Sequence, residues 1–230
     1  MRTIGHKGAD AVRPGNTIES FEAAVALGVD MIELDVLRLR DSRLVIAHDY
    51  LDAERREPLS LAEGLDAFTR APLDRVAVDC DLKLPGGEDR LVEELRGRDL
   101  LGRATVSTME LSSIRRLREL EPALRLGWTY PKVSRDWNRK RWAAPAVRAA
   151  LAVMRRRLPR IAARTLPELG VRAMWVFWPL VTRRLIEAAE PSGVEVIAWT
   201  VDDVEAMRRL SGLGVAGICT NDPRLFAELG

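Results

Sequence analysis

Cysteine and histidine are scarce in this chain of 230 residues, which contains two of each. Cys80 and Cys219 both lie in apolar runs typical of buried strands, so we predict core thiols and exclude a cysteine-based zinc site. The chain also lacks any run of about 18 uncharged apolar residues and any apolar signal region at its start. These absences predict a cytoplasmic protein without a membrane-spanning helix.

A large net charge is absent as well, because 36 basic and 34 acidic residues give a formal charge of +2. The total therefore gives no reason to expect a nucleic-acid partner. The charge is unevenly distributed, since the segment from Lys132 to Arg164 contains eleven basic residues and one acid, Asp136.

With 47% apolar and 30% charged residues the chain can bury a sizeable core, and we expect one domain over residues 1–230, with a basic helical insertion at 130–169.

Short apolar runs alternate with helical patterns along the chain, which predicts parallel strands joined by helices. Eight such units in about 200–250 residues are typical of an α/β protein of the (β/α)8 TIM barrel type. A doubly wound open sheet is the main alternative, but no GxGxxG turn follows the first run. The predicted strands are residues 3–6, 31–37, 76–83, 104–108, 124–129, 173–178, 194–200 and 217–220.

The run 44–47 follows the second predicted strand after only four polar residues, 40–43, which are too few for a crossover helix. We therefore expect a short antiparallel β-hairpin after strand 2. If the turn of this hairpin is centred near Asp41 and Ser42, Asp35 lies roughly opposite His48 at the carboxyl end of the second strand. Barrel enzymes carry their catalytic groups at this end.

The two histidines, His6 and His48, each end a predicted strand where a loop should begin. Imidazole titrates near neutrality, so a facing pair can act as general base and general acid in one reaction. For either histidine alone, a structural role would be the better interpretation. Their shared position at strand ends favours catalysis.

Acidic side chains repeat with strand periodicity in two of the predicted strands. Glu33 and Asp35 share one face of the second strand, and Asp79, Asp81 and Lys83 share one face of the run 76–83. Unpaired buried carboxylates cost several kcal/mol, and a divalent cation with oxygen ligands removes that cost. The alternative is a set of ion pairs with inward-facing lysines.

Lysines beside these groups indicate an anionic substrate. Lys83 follows Asp81 with strand spacing and Lys7 is adjacent to His6, although a lone lysine is more often a surface residue. A phosphate ester held by a divalent metal and lysines, with two histidines to move protons, would use all of these groups.

Two further features have both a structural and a functional interpretation. Asn16 and Glu19 fit a capping box at a helix start, and the same stretch could contact substrate. Trp199 ends the seventh barrel strand, where its ring could line the site of the substrate's alcohol part or pack in the core.

Seven motifs together carry a resemblance to a known family. They span residues 6–8, 14–21, 28–36, 44–49, 81–83, 198–201 and 217–220. The chain resembles the glycerophosphodiester phosphodiesterases, which share the phosphatidylinositol-phospholipase-C-like barrel. The resemblance extends over nearly the whole chain except about residues 130–169.

By this resemblance, His6 and His48 correspond to the family's catalytic acid and base, and Glu33 and Asp35 to two of its metal ligands. Asp81 stands at the position of the third ligand, which is usually a glutamate. The resemblance implies metal-dependent hydrolysis of a phosphodiester to sn-glycerol 3-phosphate and an alcohol. The expected cofactor is one divalent cation, Mg²⁺ or Ca²⁺.

Lys83 stands where the family's phosphate-binding lysine is found, but three positions depart from the family pattern. Lys7 replaces the usual arginine, which loses the planar bidentate fork for phosphate. Gly15 replaces a glutamate, and Asp81 is one methylene shorter than the usual ligand. Together these changes would be compatible with reduced activity or an altered substrate.

The segment outside the resemblance contains an amphipathic helical pattern that starts near Pro145. Pro159 should kink or end this helix. The pattern is carried by Val147, Leu151, Met154, Leu158 and Ile161, spaced by three or four residues. It predicts either a barrel helix with solvated arginines or a basic surface at 132–164 that docks on anionic lipid, and Trp137 and Trp142 would suit the second.

The sequence therefore predicts a glycerophosphodiester hydrolase with a small-molecule or lysolipid substrate. Water could attack phosphorus directly, or a substrate hydroxyl could attack first and give a cyclic phosphate. One alternative is a lysophospholipase D acting on membrane lipids. A second alternative is a catalytically weakened barrel that binds a phosphorylated ligand.

Overall fold

The computed structural model describes residues 1–132 and 144–229. The strands are β1 (Arg2–His6), β2 (Met31–Arg38), β3 (Leu44–Ile46), β4 (Ala77–Leu82), β5 (Ala104–Thr108), β6 (Arg125–Tyr130), β7 (Ala173–Phe177), β8 (Glu195–Trp199) and β9 (Gly217–Thr220). The helices are α1 (Ile18–Ala26), α2 (Tyr50–Arg55), α3 (Leu61–Ala67), α4 (Glu88–Gly97), α5 (Leu111–Leu120), α6 (Ala144–Leu169), α7 (Arg183–Ala189) and α8 (Val204–Leu213).

Eight of the strands are parallel and close into a barrel. Their order is β1-β9-β8-β7-β6-β5-β4-β2, and the pairing of β1 with β2 closes the ring. Helices connect the strands on the outside. The predicted (β/α)8 TIM barrel is therefore confirmed.

The antiparallel strand β3 forms the predicted hairpin with β2, outside the ring. Val36 pairs with Ile46, and the backbone N–H of Ala47 donates to the carbonyl of Asp35 over 3.2 Å. Asp35 thus lies opposite Ala47, and His48 follows directly at the carboxyl end of the barrel.

Apolar side chains form separate clusters outside and inside the barrel. On β2, Ile32, Leu34 and Val36 pack in the large cluster between sheet and helices, so the alternate residues Glu33 and Asp35 face the barrel interior. The interior cluster consists of Ile4, Met31, Ala173, Trp175, Ile197 and Cys219. Both cysteines are buried free thiols, as predicted, and burial raises their pKa well above 9.0.

Helix α6 runs without interruption from Ala144 to Leu169, so of the two predicted effects of Pro159, a kink or an end, the end does not occur. A proline inside a helix removes one backbone hydrogen bond. Leu158 and Ala162 on either side of it are fully buried, and their packing keeps the helix continuous. Trp137, Trp142 and the side chain of Val147 lie outside the part of the chain that the structure describes.

Among the described residues, no helix combines the length and the apolar character that crossing a bilayer would require.

Candidate active site

Three carboxylates from two neighbouring strands converge inside the barrel at its carboxyl end. Asp35 on β2 and Asp81 on β4 are register partners. Glu33 lies two residues before Asp35 on the same face of β2. One oxygen from each of the three lies within 4.8 Å of the others, and all three residues are buried. The structure therefore brings together the three acids that the sequence selected as metal ligands.

The donor set of this cluster fits a hard divalent cation. Carboxylate oxygens are the ligands that Mg²⁺ and Ca²⁺ prefer in proteins. Oδ1 of Asp81 is buried and has no hydrogen-bond partner among the described residues, so it has a lone pair to offer. A cation held by Glu33, Asp35 and Asp81 would satisfy that oxygen.

Lys83, just after β4, places its ammonium against the same cluster. Its Nζ lies 2.5 Å from Oδ2 of Asp81 and also pairs with Oδ1 of Asp35. The side chain is only 17% exposed. The alternative interpretation from the sequence, an inward lysine that pairs with the acids, is thus also realised in this structure.

The ionisation of the cluster follows from burial and from this lysine. Burial, followed by the charge of Asp35, raises the pKa of Glu33 well above 4.5. Burial acts in the same direction on Asp35, but the Lys83 ammonium outweighs it and holds the pKa of Asp35 far below 3.8. Burial would lower the pKa of Lys83, yet Asp35 and Asp81 raise it well above 10.5.

His6, the last residue of β1, is held in one orientation by the loop after β9. Its Nδ1 lies 2.6 Å from Oδ1 of Asn221, and Nδ2 of that amide donates to Asp202 over 2.6 Å. Because the Asp202 carboxylate only accepts, the amide oxygen must face His6 and accept from Nδ1–H. The lone pair of His6 therefore lies on Nε2, which is 3.9 Å from Oε2 of Glu33.

His48 lies at the end of the hairpin and is half-exposed, with 51% of its side chain accessible. Nδ1 of His48 is 3.1 Å from Oδ2 of Asp49, and its backbone N–H donates to Oδ2 of Asp52. Asp49 also caps α2 by accepting from the backbone N–H of Asp52. The N-terminus of α2 therefore sets the position of the His48 ring.

Two cavities meet at His48. The inner cavity has a volume of about 70 Å³ and is lined by both histidines, Glu33, Asp81, Lys83, Ser107, Met109, Thr129, Trp175, Trp199 and Cys219. The outer cavity has a volume of about 580 Å³ and includes Lys7, Asp10, Asn16 and Asp49 in its wall. Trp199 thus lies at the inner cavity, as its position at the end of a strand suggested, whereas Lys7 lies at the outer one.

Asn16 does not cap α1, which corrects the expectation of a capping box. Thr17 is the cap, because its side chain accepts from the backbone N–H of Ser20. Asn16 is buried instead, and its amide both donates to Oδ2 of Asp35 over 2.8 Å and accepts from the Asp35 backbone N–H. Its left-handed backbone, with φ of 59°, turns the amide towards the carboxylate.

Asp10 takes the space beside Gly15, the position at which the resemblance implies a glutamate. A Cβ at Gly15 would come within 2.5 Å of Oδ1 of Asp10, and that oxygen accepts from the Gly15 backbone N–H over 2.8 Å. A carboxylate therefore stays at the outer cavity although position 15 lacks one.

Sequence reasoning missed Asn221 as a positioning residue, together with Asp202. Asn221 directly follows β9, so the strand-end rule that selected His6 could have found it. Asp202 had no comparable signal, because its contact with Asn221 depends on how the loops after β8 and β9 meet.

A barrel with buried acids and two imidazoles at the carboxyl end has groups suited to acid–base chemistry at the face where barrel enzymes carry their active sites. The model of the glycerophosphoryl diester phosphodiesterase family matches residues 6–71 and 81–225. The chain belongs to this family of phosphodiester hydrolases.

Individual relatives agree with that assignment. A glycerophosphodiester phosphodiesterase of Caldanaerobacter subterraneus subsp. tengcongensis is 26% identical over an alignment of 259 residues, covering 98% of this chain and 96% of that protein. One from Bacillus subtilis (strain 168) is 23% identical over 271 residues, covering 99% of this chain and 85% of that protein.

Solved structures share the fold. A glycerophosphodiester phosphodiesterase from Parabacteroides distasonis superimposes with a TM-score of 0.76 at 17% identity, covering all of this chain and 98% of that chain. A phosphodiesterase of Oleispira antarctica, solved in complex with the product sn-glycerol 3-phosphate, gives a TM-score of 0.73 at 17% identity, covering all of this chain and 96% of that chain.

Proposed function

We propose that this protein hydrolyses a glycerophosphodiester to sn-glycerol 3-phosphate and an alcohol, with one bound Mg²⁺ or Ca²⁺. The observation that carries the proposal is the cluster of Glu33, Asp35 and Asp81, two of which, Glu33 and Asp81, line one cavity together with both histidines. Family membership supports the reaction class. The product bound to the Oleispira antarctica relative supports the identity of the phosphorylated product.

Glu33, Asp35 and Asp81 would hold the cation, whose charge would polarise the phosphoryl oxygens and stabilise the transition state. The backbone N–H of Lys7 donates to Oε2 of Glu33 over 3.0 Å, which fixes that carboxylate. Asn16 fixes Asp35 in the same way. Two of the three acids are thus oriented by their own hydrogen bonds, as metal ligands commonly are.

His6 acts as the general base in this proposal. Burial and the neighbouring Lys7 charge lower its pKa below 6.5, so the ring is neutral at pH 7. With Nδ1–H donated to Asn221, Nε2 is free to accept the proton of the attacking oxygen. That oxygen comes from water or from a hydroxyl of the glyceryl arm.

His48 acts as the general acid that protonates the departing alcohol. It lies between the inner cavity and the wider outer cavity, through which the alcohol can leave. Lys83 at the inner cavity and Lys7 at the outer one balance the phosphate charge. Trp199 provides a wall for the substrate.

Hydrolysis of glycerophosphocholine, measured with and without a chelator, tests the proposal. We expect turnover that the chelator abolishes and that Mg²⁺ or Ca²⁺ restores. His6→Ala and His48→Ala should each reduce kcat by about 10²–10⁴-fold, which is the usual contribution of a general acid or base. Wild-type rates in both variants would refute the proton-transfer roles. Binding of sn-glycerol 3-phosphate without turnover by the unmodified protein would favour the weakened barrel.

The exposed half of α6 supports a second candidate, a lysophospholipase D that works at the membrane surface. Within α6 (Ala144–Leu169), no side chain from Arg148 to Arg157 is fully buried, and Leu158 is the first one after them that is. Before that point the exposed residues Arg148, Arg155 and Arg156 line a groove of about 450 Å³ that faces the loop after β7. This loop lies at the carboxyl end of the barrel, on the side of the candidate active site.

Sedimentation with vesicles tests this second candidate. Arginines near an anionic bilayer each contribute about 1 kcal/mol, so Arg148→Glu/Arg155→Glu/Arg156→Glu should weaken binding to phosphatidylglycerol vesicles by roughly a hundred-fold. Arg75→Glu/Arg115→Glu/Arg70→Glu changes the net charge equally at exposed sites elsewhere and is the control. Hydrolysis of lysophosphatidylcholine, with little activity on glycerophosphocholine, would support the lysophospholipase D function. Equal loss of binding in both variants would contradict it.

A further inference from the structure

The helix that sets the position of His48 has no side chain in the core. Helix α2 contains six residues, Tyr50–Arg55, and none of them is buried. A helix of this length without a buried face is not stable by its own propensity. Its position therefore depends on hydrogen bonds to other parts of the barrel. One of them joins the hydroxyl of Tyr50, at the start of α2, to the carbonyl of Arg38 on β2 over 3.1 Å.

Arg56, the residue directly after α2, connects two segments of the candidate active site. Its Nη2 donates to Oδ2 of Asp52 over 3.2 Å, and the same oxygen accepts from the backbone N–H of His48 over 3.1 Å. Its Nη1 donates to the carbonyl of Gly15 over 2.9 Å. We call these three hydrogen bonds the arginine link. They join the segment that carries His48 to the loop that precedes α1.

The loop at the other end of the arginine link orients the acids of the candidate metal site. Asn16 follows Gly15 directly, and its amide holds Asp35 by two hydrogen bonds. The backbone N–H of Asn16 donates to the carbonyl of Lys7 over 2.9 Å, and the N–H of Lys7 donates to Glu33. One guanidinium therefore joins the segment of the general acid to the loop that fixes two of the three acids.

The surroundings of α2 leave few other contacts to hold it. Leu51 and Asp52 line the outer cavity, whereas Tyr50 and Ala53 line a second cavity of about 710 Å³, so α2 lies between two cavities. Arg56 lines both of them, and its side chain is only 28% exposed. The planar guanidinium presents donors at a fixed spacing, which lets one side chain bind two acceptors at once.

We propose that Arg56 is a positioning residue for the general acid, which it keeps within reach of the departing alcohol through the arginine link. This inference rests on the proposed function. A general acid transfers its proton only within hydrogen-bond reach of the leaving oxygen. A displacement of about 1 Å can reduce the rate by roughly a hundred-fold. Arg56 therefore acts on the reaction through His48 and needs no contact with the substrate.

Two substrates with different leaving groups test the inference. Glycerophosphocholine releases an alcohol that must be protonated as it departs, whereas glycerophospho-p-nitrophenol releases a stable phenolate that needs no proton. We expect Arg56→Ala to lower kcat for glycerophosphocholine by about 10–100-fold. It should leave KM for both substrates and kcat for the p-nitrophenyl ester unchanged. A merely structural role would lower kcat for both substrates. That result, or no loss on either substrate, would overturn the inference.

Three further variants complete the experiment. Arg43→Ala is the matched control and should change neither rate, because Arg43 pairs with Asp41 at the turn of the same hairpin and is 72% exposed. Arg56→Lys keeps the charge but not the planar fork, so it should show the same difference between substrates to a smaller degree. His48→Ala/Arg56→Ala should be no slower than His48→Ala, because both residues serve one proton transfer. A further loss in the double variant would contradict the inference.

Proteolysis separates failure of this inference from failure of the proposed function. If the unmodified protein does not turn over glycerophosphocholine, the proposed function fails, and cleavage by a glutamate-specific protease tests the arginine link by itself. Glu54 is exposed on α2. With rates normalised to the unfolded chains, Arg56→Ala should be cut after Glu54 about ten-fold faster than the unmodified protein, because α2 opens more often. Arg43→Ala should be cut at the unmodified rate. Equal cleavage of Arg56→Ala and the unmodified protein would overturn the inference.

Discussion

The protonation state of His6 is determined by its immediate surroundings. Burial and Lys7 lower the pKa of the ring, and Asn221 accepts its Nδ1–H. An NMR titration should therefore give a His6 signal with a midpoint below 6.5, which is assigned by its absence in His6→Asn. Because a lowered pKa means loss of the proton at lower pH, the ring is then neutral throughout the physiological range. A His6 midpoint above 6.5 would contradict its role as base.

Asn221 links His6 to Asp202, so its removal tests the orientation of the ring. Asn221→Ala leaves Nδ1–H without its acceptor, and we expect kcat/KM to fall by about 10–100-fold, which corresponds to 1–3 kcal/mol for an unpaired buried group. Asp222→Ala changes the adjacent residue, which pairs with Arg224, and serves as the control. Equal activity of the two variants would show that His6 needs no such support.

The sequence predicted the position of a side chain in the site where that position depends on strand alternation. Strand alternation placed Glu33, Asp35 and Asp81 on inward faces, and the structure brings them together. The role of Asn16 was not predictable in the same way. Asn16 and the adjacent Thr17 are both residue types that favour N-cap positions, and only the approach of α1 to β2 decides that Asn16 meets Asp35.

Among the elements, α6 contains a proline, Pro159, inside the helix. Propensity alone predicts a kink or an end at this position, because proline cannot donate a backbone hydrogen bond. Tertiary packing of Leu158, Ala162 and Leu166 against the core outweighs that loss. The buried part of the helix is therefore held by contacts rather than by its own propensity.

Leucine truncation along α6 tests where its packing begins. Leu158→Ala should lower the free energy of unfolding by about 2–5 kcal/mol, since Leu158 is fully buried. Leu151→Ala is the same change at a half-buried position and should cost less than half as much. Urea unfolding measures both. Similar values would mean that the two halves of α6 pack equally well.

At the scale of the whole molecule, barrel closure concentrates negative charge in one place. Glu33, Asp35, Asp79 and Asp81 are all buried inside the ring, with Lys83 as a compensating cation. Burial of Asp79 raises its pKa well above 3.8. Charge of this kind is costly without a counter-ion, and a bound divalent cation would stabilise the whole fold.

Thermal unfolding with added metal tests this expectation. Mg²⁺ or Ca²⁺ at one hundred times its Kd should stabilise the protein by about 2.7 kcal/mol, which raises Tm by roughly 5–10 °C. Asp35→Asn should abolish the shift. Asp79→Asn should retain it, because Asp79 does not belong to the cluster of Glu33, Asp35 and Asp81. A shift that survives Asp35→Asn would place the metal elsewhere.

The sequence by itself determined eight strands whose side chains alternate between the inside and the outside of the barrel. It also determined the hairpin formed by β2 and β3, the buried cysteines and the motifs of the family. These depend on residues close together in the chain, where side-chain period and turn length are sufficient. Only the tertiary structure decided that Asn221 holds His6, that Asn16 holds Asp35 and that Thr129 lies beside Trp175. Those contacts join residues far apart in sequence, and they exist because closure of the ring brings the strand ends together.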